Sequence, residues 1–165
     1  MLKNKDIIIV GQQPWDTEIG SNCKDIALEL SKHNRVLYVN SALDRITKYK
    51  GKNDPKIQKR LQVIKGKEEG LIQISENLYN LYPDCLTESI NWIRPTTIFD
   101  RFNRTNNKKF AASILKGIKE IGFRNFFLFN DNDMFRSFYL KELLKPTLSI
   151  YYYIVFSLGR KLTIR

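Results

Sequence analysis

Two apolar runs decide the fold: Asp6-Ile7-Ile8-Ile9-Val10-Gly11 and, after one polar loop and one helix length, Arg35-Val36-Leu37-Tyr38-Val39-Asn40. The first is β-branched at every position from Ile7 to Val10. A strand that is apolar on both faces is buried on both faces, which is the habit of a parallel sheet. Between the runs, Cys23, Ile26, Ala27 and Leu30 recur at i, i+3, i+4 and i+7, the stripe of an amphipathic helix. Ser21 or Asn22 is placed to cap that helix, which ends near His33–Asn34. Strand, helix and strand in about 35 residues make a βαβ unit with a right-handed crossover.

Further along, residues 44–70 are basic and carry Gly51, Asn53 and Pro55. They read as a loop and then a helix over Lys56–Ile64. Leu71–Tyr82 reads as a strand pair or one bent strand. Pro83 and Pro95 punctuate a loop around Ile90–Ile93. A helix is predicted over Asn107–Ile121, with Phe110, Ala111, Ile114, Leu115, Ile118 and Ile121 on one stripe and Gly122 as its stop. Asn125–Asn130 is another buried strand. A helix over Asp133–Leu144, capped by Asp131 or Asn132, and a strand over Leu148–Ile154 follow. Buried strands alternating with helices predict an α/β fold: a Rossmann-like three-layer domain with a mostly parallel sheet, over residues 1–154. Val155–Arg165 supplies no helix to continue the pattern and reads as an irregular tail.

Lys and Arg number 28 against 17 Asp and Glu, a net charge of +11. The cations spread through Lys48–Lys67, Arg101–Lys109 and Lys116–Arg124. Such a surface attracts polyanions, whether sugar nucleotides, anionic lipid or nucleic acid. Nucleic acid is the weakest of these, because Phe126, Phe127 and Phe129 lie inside an apolar strand instead of alternating with cations as stacking platforms. Cys23 and Cys85 stand alone without a CxxC pattern, so no zinc site is predicted. His33, the one histidine, reads as a solvated helix-end residue. No run reaches the ~20 apolar residues of a membrane span. The expected location is cytoplasmic, with peripheral contact at the inner face of an anionic membrane.

Ligands of open parallel sheets bind at the carboxyl ends of the strands. Three such ends are polar: Gly11–Asn22, Asn40-Ser41 and Asn130–Asp133. The first spans twelve residues, against the usual ~2–6 of a βα connection. It leads into a helix N-terminus, which favours an anion such as a diphosphate. Gly20 would let a ligand approach the backbone, and Ser21 and Asn22 add donors. It contains neither GxGxxG nor GxxxxGK[ST], so a dehydrogenase or P-loop reading has no support. The competing reading is a capped helix after a long loop, with Trp15 covering the core. Asp131 and Asp133 would serve as a carboxylate pair or as helix caps.

The opening residues resemble bacterial glycosyltransferases of the GT-B type, in particular glycosyltransferase family 1 and the teichuronic-acid-type enzymes of polysaccharide clusters. The carriers are the first strand, Gln12–Trp15, Gly20-Ser21-Asn22, and Val36–Asn40 followed by Asp44-Arg45. Asn125–Asp133 and Leu148–Tyr153 add to the likeness, which covers about residues 6–153. The resemblance implies an N-terminal, acceptor-side domain facing a donor domain across a cleft. It maps the donor-phosphate loop onto Gln12, Trp15, Glu18, Gly20, Ser21 and Asn22, and the acceptor-side strand ends onto Asn40, Asp131 and Asp133. It implies a nucleotide-sugar as substrate, a glycan or lipid-linked acceptor, no metal and no other cofactor, and it assigns no catalytic base. The donor domain is expected to be missing after about residue 154, leaving a glycosyltransferase half that is inactive alone. The alternative expectation is a non-catalytic basic α/β module that binds nucleotide, nucleic acid or a regulatory partner.

Overall fold

The computed structural model describes residues 2–18, 20–131 and 135–152. Strand β1 (Asp6–Gly11), helix α1 (Asn22–Ser31) and strand β2 (Arg35–Asn40) form the expected βαβ unit. β1 and β2 run parallel, with Ile8 beside Leu37 and Val10 beside Val39. Ser21 is extended, and its hydroxyl accepts the Lys24 N–H to cap α1. Then come β3 (Leu43–Asp44), α2 (Arg45–Lys50), α3 (Pro55–Ile64), β4 (Leu71–Ser75), β5 (Leu78–Leu81) and β6 (Leu86–Thr87). The chain continues through α4 (Thr96–Ile121), β7 (Phe127–Asp131), α5 (Leu140–Leu144) and β8 (Leu148–Tyr152).

Six strands form one sheet in the order β4-β5-β2-β1-β7-β8, and β3 pairs with β6 apart from it. Within the six, β4 runs antiparallel to β5, and the other pairs are parallel. Successive side chains of a strand point to opposite faces, and the packing follows that alternation. Ile8, Val10, Leu37 and Val39 pack with Phe110, Ile114 and Ile118 of α4. Ile7, Ile9, Val36 and Tyr38 pack with Cys23 and Ala27 of α1. The molecule is thus α/β with a mostly parallel sheet, compatible with a Rossmann-like fold.

The structure departs from the sequence-based expectations in three places, at α2, α4 and α5. Residues 45–50 form α2 instead of loop, because the Asp44 carboxylate caps it by accepting the Thr47 N–H. Leu71–Tyr82 takes the first of its two expected forms, the strand pair β4–β5, with an irregularity between Gln73 and Ser75. Helix α4 starts at Thr96, well before Asn107. Its first turns bury Asn103, Asn106 and Asn107 in place of apolar side chains, so hydrophobic periodicity does not register them. The helix expected over Asp133–Leu144 is confined to Leu140–Leu144, preceded by turns from Phe135 to Tyr139. There the Asn107 amide takes the Phe135 carbonyl at 3.2 Å and the Tyr139 N–H at 3.0 Å, an alternative to helical pairing. Asp131 therefore ends β7 and does not cap that helix. Asn132, Asp133 and the tail from Tyr153 lie outside the described residues.

Two neighbours on α4 separate burial from helix propensity. Ile114 is 0% exposed and Leu115 44%. Ile114→Ala should cost about 2–5 kcal/mol, whereas Leu115→Ala should stay within about 0.5 kcal/mol. Urea unfolding midpoints of the two variants check this, and equal losses would refute the packing described.

Candidate functional site

The parallel strands β5, β2, β1, β7 and β8 end on one edge, which collects Leu81, Asn40, Gly11, Asp131 and Tyr152. From β1 the chain passes to β2 on one side, then returns through α4 to β7 on the other. Such a reversal opens a crevice at the strand ends, where ligands of α/β sheets sit.

The loop after β1 is tied down at that edge. Asn40 is fully buried; its Oδ1 accepts the Trp15 N–H at 2.7 Å, and its Nδ2 donates to Asn80 Oδ1 and to the Leu81 carbonyl, both at 2.8 Å. The Tyr38 hydroxyl donates to the Gln13 carbonyl at 2.7 Å, and the Trp15 ring stands edge-on to Tyr38 at 5.0 Å. A Cβ on Gly11 would lie 2.0 Å from that hydroxyl, so no larger residue fits beside Tyr38. Asp16 faces Arg60 of α3 at 3.8 Å. Asn22 donates to the Tyr152 hydroxyl at 2.9 Å, and Tyr152 stacks on Phe129. Gln12, Glu18, Gly20 and Asn22 face solvent. A Cβ on Gly20 would meet nothing within 4 Å, so packing inside the described chain does not demand glycine there.

Beneath the loop, Cys23, Tyr38 and Asp131 come together. Burial first, and then the Asp131 carboxylate, push the Cys23 thiol up from 9.0 to about 12. Burial and the neighbouring Cys23 likewise push the Tyr38 phenol up. Burial, then Asp84, raises Cys85 to about 12. Both thiols are therefore protonated at neutral pH, and neither is an activated nucleophile. Asp131 is brought beside this cluster, while Asp133 lies outside the described residues.

A cleft of about 420 Å³ opens beyond β2, with Ala42 and Phe110 in its lining. One wall is the start of α2, the other the segment from Thr87 to Trp92. Asp44 links the two: its Oδ1 accepts the Ser89 hydroxyl at 2.6 Å and the Thr47 N–H at 2.9 Å. Burial pulls the Asp44 carboxyl up, but the bonds from Ser89 and Thr47 and the charge of Arg136 outweigh it and hold it below the usual carboxylate range. Glu88 pairs with Arg45 at 2.6 Å. Trp92 is 72% exposed, and its indole N–H donates to the Ser89 carbonyl at 2.7 Å, which fixes the ring. A second, more apolar cavity of about 570 Å³ shares Asn103 and Phe135 with the cleft and reaches Asn130, next to Asp131.

None of the residues assigned from the sequence lines the first cleft; Asp44, Glu88, Trp92 and Arg136 do. The asparagine row of α4 holds the Glu88 segment of the cleft wall. Asn106 accepts the Glu88 N–H at 2.8 Å and donates to the Glu88 carbonyl at 2.9 Å, a complete side-chain imitation of a strand pair. The signal in the sequence was the spacing Asn103, Asn106, Asn107, a polar i, i+3, i+4 stripe. Comparisons with protein-family models, characterised proteins and solved structures give no match.

Asn106→Ala leaves both backbone groups of Glu88 unpaired and should cost about 1–3 kcal/mol, read as a lower urea midpoint with faster proteolysis near residues 84–93. Glu18→Ala, on the exposed loop, should change it by less than about 0.5 kcal/mol. The cysteines give a pH test. Their folded values exceed that of a free thiol, so their contribution is complete below pH 9.0 and disappears as pH rises toward about 12. At pH 9 the native chain should react with iodoacetamide at least about tenfold more slowly than the urea-unfolded chain; equal rates would refute this burial.

Proposed function

We propose that this chain carries the acceptor-holding domain of a glycosyltransferase, which moves a glycosyl group from a nucleotide-sugar to a hydroxyl of a polysaccharide or lipid-linked saccharide. The observation that carries the reading is Trp92, an exposed indole fixed by its own N–H at a cleft beyond β2 whose lining mixes apolar and polar side chains. A sugar ring has an apolar C–H face and a rim of hydroxyls. An immobilised indole suits the face. Asp44, Glu88 and the amide of Asn91 beside it suit the rim. The fold supports the same reading. Alternate residues of β1 and β2 pack against α1 and α4, as in a three-layer Rossmann-like domain.

In such a transfer the acceptor oxygen bonds to the anomeric carbon, the bond from that carbon to the diphosphate oxygen breaks, and the hydroxyl proton passes to the released diphosphate. Asp44 orients the acceptor in this scheme. Three hydrogen bonds from Ser89 and Thr47 already occupy its carboxylate, which leaves it poorly suited to take the proton. The start of α1, with Gly20, Ser21 and Asn22 at the same edge, faces the donor diphosphate in this reading. Gln12, Trp15 and Glu18 complete that wall, and Asn40 acts through the loop it anchors.

Tryptophan fluorescence of the chain, titrated with a panel of neutral and acidic oligosaccharides, tests the proposal. At least one should shift the emission. Trp92→Ala should weaken that binding about tenfold or more, as loss of an aromatic side chain at a binding interface does, while Trp15→Phe leaves the response in place. A folded chain that responds to no saccharide at millimolar concentration would overturn it.

A further inference from the structure

We infer that the face formed by α2 and α3 docks on an anionic phospholipid bilayer. Between Arg45 and Lys67 the chain has nine Lys or Arg and one acidic residue, Asp54. Asp54 is spent as the cap of α3, where it accepts the Lys56 N–H at 2.8 Å. Three of the nine cations are engaged: Arg45 with Glu88, Arg60 with Asp16, and Lys59 over the Tyr82 ring. The remaining six are Lys48, Lys50, Lys52, Lys56, Lys65 and Lys67. All are exposed, and none forms an ion pair among the described residues. Glu68 and Glu69 follow at the margin but line a different cavity, with Lys116 and Glu120. The other basic stretches are partly spent inside the molecule: Lys116 pairs with Asp84, and Arg104 lies over Tyr139.

Apolar groups stand among these free cations. Every residue of α2 is exposed, including Tyr49 at 85% and Ile46 at 45%. A shallow basin of about 570 Å³ has Lys48, Lys52 and Lys65 on its rim, with Leu61 and Leu86 in its lining. Cations around an apolar basin match a lipid phosphate and the glycerol region beneath it. Tyrosine is a side chain suited to the headgroup level. A bilayer explains the apolar members better than a nucleic acid does, since stacking would need aromatics in series and only Tyr49 is present on α2. No helix among the described residues is long and apolar enough to cross a membrane, so the contact is peripheral. Ile46 and Thr47 also line the Trp92 cleft, so docking would bring the mouth of that cleft to the lipid surface.

The test is co-sedimentation of the chain with vesicles of phosphatidylcholine alone or mixed with phosphatidylglycerol. It needs no sugar, so its failure is separate from failure of the transfer reading. The chain should bind the mixed vesicles, release them as salt rises, and bind neutral vesicles at least about tenfold more weakly. Lys48→Glu/Lys52→Glu/Lys65→Glu should lose most of the binding. Lys3→Glu/Lys108→Glu/Lys119→Glu, with the same change in net charge, should keep most of it. Tyr49→Ala should weaken binding severalfold at unchanged charge. Circular dichroism verifies the fold of each variant. Equal losses from the two triple variants would overturn the inference. So would tighter binding to a mixed-sequence oligonucleotide than to the mixed vesicles at the same salt.

Discussion

Strand β1 has no side open to water. Both of its faces are packed and both of its edges are paired, with β2 on one and β7 on the other. The segment from Ile7 to Val10 therefore tolerates no polar side chain, because a buried polar group without a partner costs about 1–3 kcal/mol. Polarity is confined to the two ends. At the start, Asp6 pairs with Arg35 and accepts the Arg124 N–H, joining β1, β2 and the approach to β7. At the finish the strand gives way to Gly11 and the long loop. The position of the candidate site follows from this constraint: in the middle of the sheet, chemistry has only the strand ends to occupy.

The irregular segments around those ends are satisfied mainly by buried asparagines. Buried backbone groups need partners wherever regular structure lapses. Asn34 serves the N-terminal segment through the Lys5 N–H and the Leu2 carbonyl. Asn40 and Asn80 serve the loop after β1, and Asn106 and Asn107 serve the segments before α4 and after β7. An amide offers a donor and an acceptor in one plane, so a single side chain can replace a neighbouring strand. The Glu88 wall of the cleft is thereby fixed by Asn106, a buried amide on α4 that itself lines the cleft.

The βαβ opening, the strands β4, β5, β7 and β8 and the Ser21 cap were legible because they rest on hydrophobic periodicity and local capping, both written within a few residues. The extent of α4 was not, since its first turns bury amides where the pattern demands apolar side chains. The turns from Phe135 to Tyr139 were not legible either. Their conformation depends on Asn107, 28 positions from Phe135. The loop from Gly11 to Asn22 was located correctly at the strand ends, but its anchoring by Asn40 and Tyr38 depends on pairing register, which periodicity does not express. The cleft was missed for a related reason. Asp44 lies more than forty positions before Glu88 and Trp92, and it meets their segment where β3 pairs with β6.

The place of β1 in the sheet also bears on how the chain is made. During synthesis β1, α1 and β2 emerge early and can associate at once, since all their mutual contacts are local. The other edge of β1 is completed only by Phe127–Asn130 of β7. At roughly 5–20 residues per second, that partner appears on the order of ten seconds later. Through that interval the most apolar strand of the molecule presents an unpaired edge, the feature that invites pairing with foreign strands. The nascent chain thus spends its riskiest period with its future centre as its border.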